Sequence, residues 1–135
     1  TRAAQGHPSG VHHAENLKTD LFLVTLNKDA SNFSPSVMYK DYAISSNLFH
    51  WESQNSVASN GVTARRYINH SENNHDLILC IRQNLANEIG TAPFQLIGST
   101  EVQSHSGSKP LQLTLRVNRE LPLNVVEASP ANTAL

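Results

Sequence analysis

The chain predicts a β-rich (α+β) fold, a small barrel or curved sheet with one or two short helices, and three observations carry that prediction. Its aliphatic residues are gathered into short runs bounded by turn formers, two of these runs alternate with a period of two, and helix propensity is poor nearly throughout. About six strands with no alternating helix pattern point to a barrel or curved sheet.

Residues 1–16 carry small residues, a proline, two glycines and three histidines without apolar periodicity, and read as a flexible leader or linker. Residues 21–27 (LFLVTLN) form an apolar run between Asp20 and Lys28, the pattern of a buried strand. Ser34 before Pro35 is a cap and first-turn pair that can start one helical turn. Residues 48–54 (LFHWESQ) alternate, setting Phe49, Trp51 and Ser53 on one face and His50, Glu52 and Gln54 on the other. A turn-forming loop with Asn60–Gly61 follows.

Residues 64–69 (ARRYIN) fit either a short strand or a helical turn, whereas 76–84 (DLILCIRQN) read as a strand. Residues 93–105 form one long strand or a strand bent at Gly98, where a glycine commonly marks a bulge. In residues 111–118, Leu111, Leu113, Leu115 and Val117 alternate inward against Gln112, Thr114 and Arg116. The end of the chain, 127–135, reads as a flexible tail, so the ordered domain spans 17–126.

At 135 residues the chain holds one domain with a real core. Residue 1 is Thr and Met38 is the single methionine, so the sequence reads as a piece of a longer protein. A net charge of -1 argues against a DNA-coating protein held by bulk electrostatics, though not against a reader with few phosphate contacts. Cys80 is the sole cysteine and lies in LILCI, which points to a buried, inert thiol. With no apolar stretch of membrane-spanning length and no signal peptide, the expected compartment is the cytoplasm.

Seven histidines invite a metal reading, but no cysteine pair or helical His-x-x-x-His spacing supplies a tetrahedral set, so no metal or cofactor is expected. No nucleophile elbow, paired carboxylates or glycine-rich phosphate loop appears, so the domain is expected to be non-catalytic.

Five of the eight aromatic residues fall in one block, FSPSVMYKDYAISSNLFHWESQ: Phe33, Tyr39, Tyr42, Phe49 and Trp51. Interleaved with Asp41, His50, Ser53 and Gln54, they resemble the lining of a pocket for a flat polar ring. Phe22, Phe49 and Phe94 are assigned to the core. Tyr39, Tyr42 and Trp51 are the stacking candidates, and Asp41 is suited to an exocyclic amine or a protonated ring nitrogen. Arg65, Arg66, Lys109 and Arg116 could touch phosphate.

The strings FSP-x-x-MY-x-DYAIS, LFHW-x-SQ and RYINH, with LILCIRQN, APFQLIG and SHSGSKPLQLTLRV, resemble a C-terminal domain, formerly of unknown function, of large bacterial proteins. Those proteins carry a phospholipase-D-type nuclease and a helicase-type ATPase, and include type IV restriction enzymes that cut DNA containing 5-methylcytosine or 5-hydroxymethylcytosine. The similarity covers about residues 17–122. It implies an SRA-like or PUA-like reader of modified bases that works by base flipping in phage defence, coupled to helicase and nuclease domains of the same parent chain. Departures at Arg65, Ser106 and Lys109 fall in loops that set sequence context.

On this resemblance Tyr42 and Trp51 stack on the base, Asp41 and Gln54 meet its polar edge, and Ser53, Tyr39 and Tyr67 complete the base site. Arg65, Arg66, His70 and Lys109 meet phosphates. The alternatives are a structural domain coupling helicase to nuclease, and a reader of another modification such as backbone phosphorothioate.

Overall fold

The structure, a computed structural model, describes residues 10–27, 41–84, 86–87 and 90–128. Among these the elements are β1 (Val11–Ala14), a 3-10 turn (Glu15–Leu17), β2 (Thr19–Asn27), β3 (Tyr42–Ala43), β4 (Leu48–Glu52), α1 (Val62–Ile68), β5 (Asp76–Asn84), β6 (Ala86–Asn87), β7 (Gly90–Thr91), β8 (Gln95–Ser106), β9 (Gln112–Val117) and α2 (Leu123–Glu127). Seven strands form one mixed sheet in the order β1-β2-β5-β8-β9-β4-β3, and β6 with β7 makes a separate ribbon. β2 and β5 run parallel, with Thr19 opposite Asp76. Such a pair cannot be joined by a tight turn, and β3, β4 and α1 all lie in the connection between them.

One face of this sheet carries the core, and strand alternation selects which residues reach it. Phe22, Val24 and Leu26 of β2, Leu77, Leu79 and Ile81 of β5, and Leu113, Leu115 and Val117 of β9 are all buried. From β4 come Phe49 and Trp51; α1 adds Ala64 and Tyr67, and α2 adds Val125.

The sheet is strongly curved. In hydrogen-bonded order β5, β8 and β9 separate β2 from β4, which in a flat sheet places those two strands about 19 Å apart at roughly 4.8 Å per strand. Yet the rings of Phe22 on β2 and Trp51 on β4 stack with centroids 4.1 Å apart and planes 3° from parallel. Tyr67 of α1 meets both edge-on, at 5.0 Å from Phe22 and 5.6 Å from Trp51. The sheet therefore curls until its two ends face each other, but β1 and β3 remain its termini and it does not close into a barrel.

Curvature has a local cause at Gly98. Its φ of +128° is open to glycine and strained for other residues, and there the β5–β8 register slips, Leu79 facing Gly98 and Cys80 facing Leu96. A second irregularity lies between Val102 and Ser104 against β9. The bend expected at Gly98 is thus a bulge within one long strand.

Several expectations are refined or corrected. The domain begins before residue 17: Val11–Ala14 pairs with β2 as a short edge strand, so the leader cannot extend to residue 16. Residues 64–68 belong to a helix with Asn69 as its C-cap, and Gly61 of the Asn-Gly turn is its N-cap. Phe94 is half-buried beneath the Arg82 guanidinium at 4.3 Å and is not part of the core cluster. Cys80 is buried, as expected, and burial pushes its thiol pKa up. The helical turn expected at Ser34–Pro35 lies outside the described residues, as do Phe33 and Tyr39. No helix among the described residues is long and apolar enough to cross a membrane.

Candidate functional site

Where the curled sheet fails to close, α1 and the loop before it leave a cavity of about 410 Å³. β1 contributes Val11 and His13 to its wall, the end of β4 contributes Trp51, Ser53 and Gln54, and the following loop contributes Ser56, Val57, Ala58 and Gly61. Val62, Thr63, Arg66 and Tyr67 of α1 complete it. The 107–110 loop braces the outer wall, since the Lys109 amide donates to the Val57 carbonyl at 2.9 Å and the Ser59 amide to Ser108 Oγ at 2.9 Å.

Behind this wall lies a fully buried carboxylate. Asp20 shares the inward parity of Phe22, Val24 and Leu26, and a buried charge is tolerated only when paired and hydrogen-bonded. Arg66 supplies a two-pronged pair, Nε to Oδ2 at 2.7 Å and Nη2 to Oδ1 at 2.9 Å. His75 Nε2 donates to Oδ2 at 2.7 Å, and His13 Nδ1 approaches Oδ1 at 3.2 Å. Burial alone raises the Asp20 pKa, but the Arg66 and His75 hydrogen bonds outweigh it and hold the carboxyl below its ordinary value. The same hydrogen bond raises the Arg66 pKa against the effect of burial. Burial and the Asp20 charge push Tyr67 up to about 12, so its hydroxyl stays protonated at neutral pH.

The expected base-site residues divide. Trp51, Ser53, Gln54 and Tyr67 line the cavity. Trp51 is only 3% exposed and one of its faces is covered by Phe22, so it presents an edge there and cannot act as an open stacking plate. Ser53 Oγ accepts the Leu111 amide and donates to the Gln54 carbonyl, both at 2.9 Å, tying β4 to β9. Gln54 is exposed and donates to Ser56 Oγ at 2.9 Å.

Tyr42 and Asp41 do not line the cavity. Paired with His50, Tyr42 lies on the sheet face opposite Trp51 and stacks on the imidazole at 4.8 Å. Asp41 Oδ1 accepts the Glu52 amide at 2.9 Å, a local tie at the strand end.

The expected phosphate ligands divide as well. Arg65 and Lys109 are exposed beside the cavity, Arg65 donating to the Asn60 carbonyl at 2.9 Å. Arg66 is committed to Asp20. His70 is buried, with Nδ1 donating to the His75 carbonyl at 2.9 Å and Nε2 accepting the Val102 amide at 3.4 Å, so both ring nitrogens are engaged within the fold.

Asp20, His13 and His75 were absent from the residues expected to act. The available signal was the parity of Asp20 with the buried positions of its own strand. No cysteine pair or helical His-x-x-x-His spacing is involved, yet the donor atoms of these three lie within 4.8 Å of one another.

The family model described as Domain of unknown function (DUF3427) matches residues 2–128, and the chain belongs to that family. No curated protein and no solved structure matches it.

Proposed function

We propose that this family member reads a modified cytosine, 5-methylcytosine or 5-hydroxymethylcytosine, drawn out of double-stranded DNA into the cavity between β1, the end of β4 and α1. The single observation that carries this reading is the cavity itself, about 410 Å³, with apolar walls at Val11 and Val57, the edges of Trp51 and Tyr67, and polar side chains at Gln54, Ser56 and Thr63. Mostly apolar walls with a few placed hydrogen-bonding groups suit one flat polar ring. The choice of DNA rests on the resemblance of residues 17–122 to target-recognition modules of restriction proteins. On that reading the domain is cytoplasmic and non-catalytic, and works beside helicase and nuclease domains of a longer chain.

Extruding a base costs a few kcal/mol, which edge contacts with Trp51 and Tyr67 and hydrogen bonds to the cavity's polar side chains have to return. The methyl group adds only about 0.8 kcal/mol of burial, less than tenfold, so steric fit against the cavity wall has to supply the rest of the preference. Arg65 and Lys109 are the phosphate contacts this geometry favours, and Gln54 and Thr63 the groups for the base edge.

Mobility shifts of the chain with 5-methylcytosine, 5-hydroxymethylcytosine and unmodified duplexes test the proposal. The expected result is retention of a modified duplex over the plain one, abolished by Thr63→Trp, which fills the cavity, in a variant whose circular dichroism matches the parent. Equal binding of all three duplexes, or binding to a phosphorothioate duplex alone, overturns it.

A further inference from the structure

We infer that His13, Asp20 and His75 form a site for a zinc-class divalent ion in the wall of the cavity. The inference does not depend on what the cavity binds. Its donors, His13 Nδ1, an Asp20 carboxylate oxygen and His75 Nε2, lie within 4.8 Å of one another. They come from β1, β2 and the residue preceding β5, segments that the parallel β2–β5 pairing brings together.

The spacing is within reach of an ion after side-chain adjustment. Tetrahedral zinc with bonds of about 2.0–2.1 Å sets its donor atoms about 3.3–3.4 Å apart. The two rings address different carboxylate oxygens, His13 Nδ1 meeting Oδ1 at 3.2 Å and His75 Nε2 meeting Oδ2 at 2.7 Å, and the whole donor set lies within 4.8 Å. Binding therefore widens the His75–carboxylate separation by about 0.6 Å and draws donors spread over as much as 4.8 Å in to the tetrahedral spacing. It exchanges two N–H···O hydrogen bonds for two metal–nitrogen bonds, each neutral ring carrying its proton on the other nitrogen.

Two imidazoles with one carboxylate select zinc, cobalt or iron over magnesium and calcium, which prefer oxygen-only shells. Outer partners for this set are already built. A carboxylate has about four lone-pair positions, so Asp20 can keep the Arg66 fork while ligating, and such a hydrogen bond orients a ligating carboxylate. His70 donates to the His75 carbonyl at 2.9 Å and fixes that backbone. The Arg66 charge opposes a further cation, which sets the expected affinity nearer micromolar than the far tighter range of closed structural sites. His13 and Arg66 both line the cavity, so a coordination position left by three protein ligands lies on that side, where a water or an anionic oxygen can complete it.

The test is titration of the full chain, stripped with chelator, with Co²⁺ and then Zn²⁺. The expected result is one Co²⁺ per chain with the visible bands of a four- or five-coordinate ion, displaced by Zn²⁺ and accompanied by a rise in Tm. His13→Gln alters a partly exposed edge-strand residue and leaves the Asp20–Arg66–His75 contacts in place; it should weaken uptake at least tenfold. His105→Gln, at an exposed histidine of β8, should leave uptake unchanged. Absence of stoichiometric uptake by the parent chain, or uptake undiminished in His13→Gln, overturns the inference.

Discussion

Two acidic residues, Asp20 and Asp41, each stand beside aromatic side chains, and the fold gives them opposite roles. Asp20 points inward on β2 and ties β1, α1 and the start of β5 together through Arg66, His13 and His75. Asp41 sits at the other end of the sheet and accepts the Glu52 amide, while its neighbour Tyr42 stacks outward on His50. Proximity in sequence gathered Asp41, Tyr42 and Trp51 into one block, but strand parity sets Tyr42 on the face opposite Trp51, and Asp41 is held at the strand end by the Glu52 amide. Parity, more than local composition, decides which polar group borders the cavity.

The sharpest way to break this comparison is to remove each carboxylate. Asp20→Ala leaves Arg66 partly buried without its partner, and should cost roughly 3–5 kcal/mol in urea denaturation. Asp41→Ala, losing the hydrogen bond to the Glu52 amide at a strand end and leaving no buried charge unpaired, should cost less, about 1 kcal/mol. Similar values for the two would show that the hub is not the stabilising centre described above.

The aromatic pair gives the next contrast. Trp51→Ala removes a ring stacked on Phe22 and should cost about 3–5 kcal/mol, whereas Tyr42→Ala on the outward face should cost about 1 kcal/mol or less by the same assay. Cavity binding should likewise survive Tyr42→Ala, as read by the mobility shift.

Acidity offers a third. The folded pKa of Asp20 lies below its ordinary value of 3.8, so its contribution is fully present above that value and is lost as pH falls through the folded pKa. Asp20→Asn should therefore flatten the decline of Tm below about pH 4 relative to the parent. An unchanged acid limb would deny the carboxylate its role.

The smallest effect is the response to salt. If phosphate contact is confined to Arg65 and Lys109, log K against log salt should have a slope of about -2. A much steeper slope would implicate further cations.

The strands were legible where alternation is strict: in residues 48–54 and 111–118 the buried and outward positions follow from spacing alone, and Gly98 announced its bulge. The cavity was legible only in part. Trp51, Ser53, Gln54, Arg66 and Tyr67 could be named, but the hub joins positions 13, 20, 66 and 75 through a parallel strand pair that no local pattern encodes. Arg66 was legible as a cation, and its commitment to Asp20 was not, because the partner lies 46 residues away.

That parallel pairing also bears on how the chain reaches its native state. Thr19 cannot meet Asp76 until the whole intervening length has been gathered in, so loop-closure entropy is spent before the central contacts return anything. Domains with such remote pairings fold in about milliseconds to seconds, far slower than helical bundles of similar size. The cavity draws its lining from β1, the end of β4 and α1, so it needs both sides of that long connection in place. The β8–β9 hairpin, by contrast, is local in sequence and carries none of the residues that line the cavity.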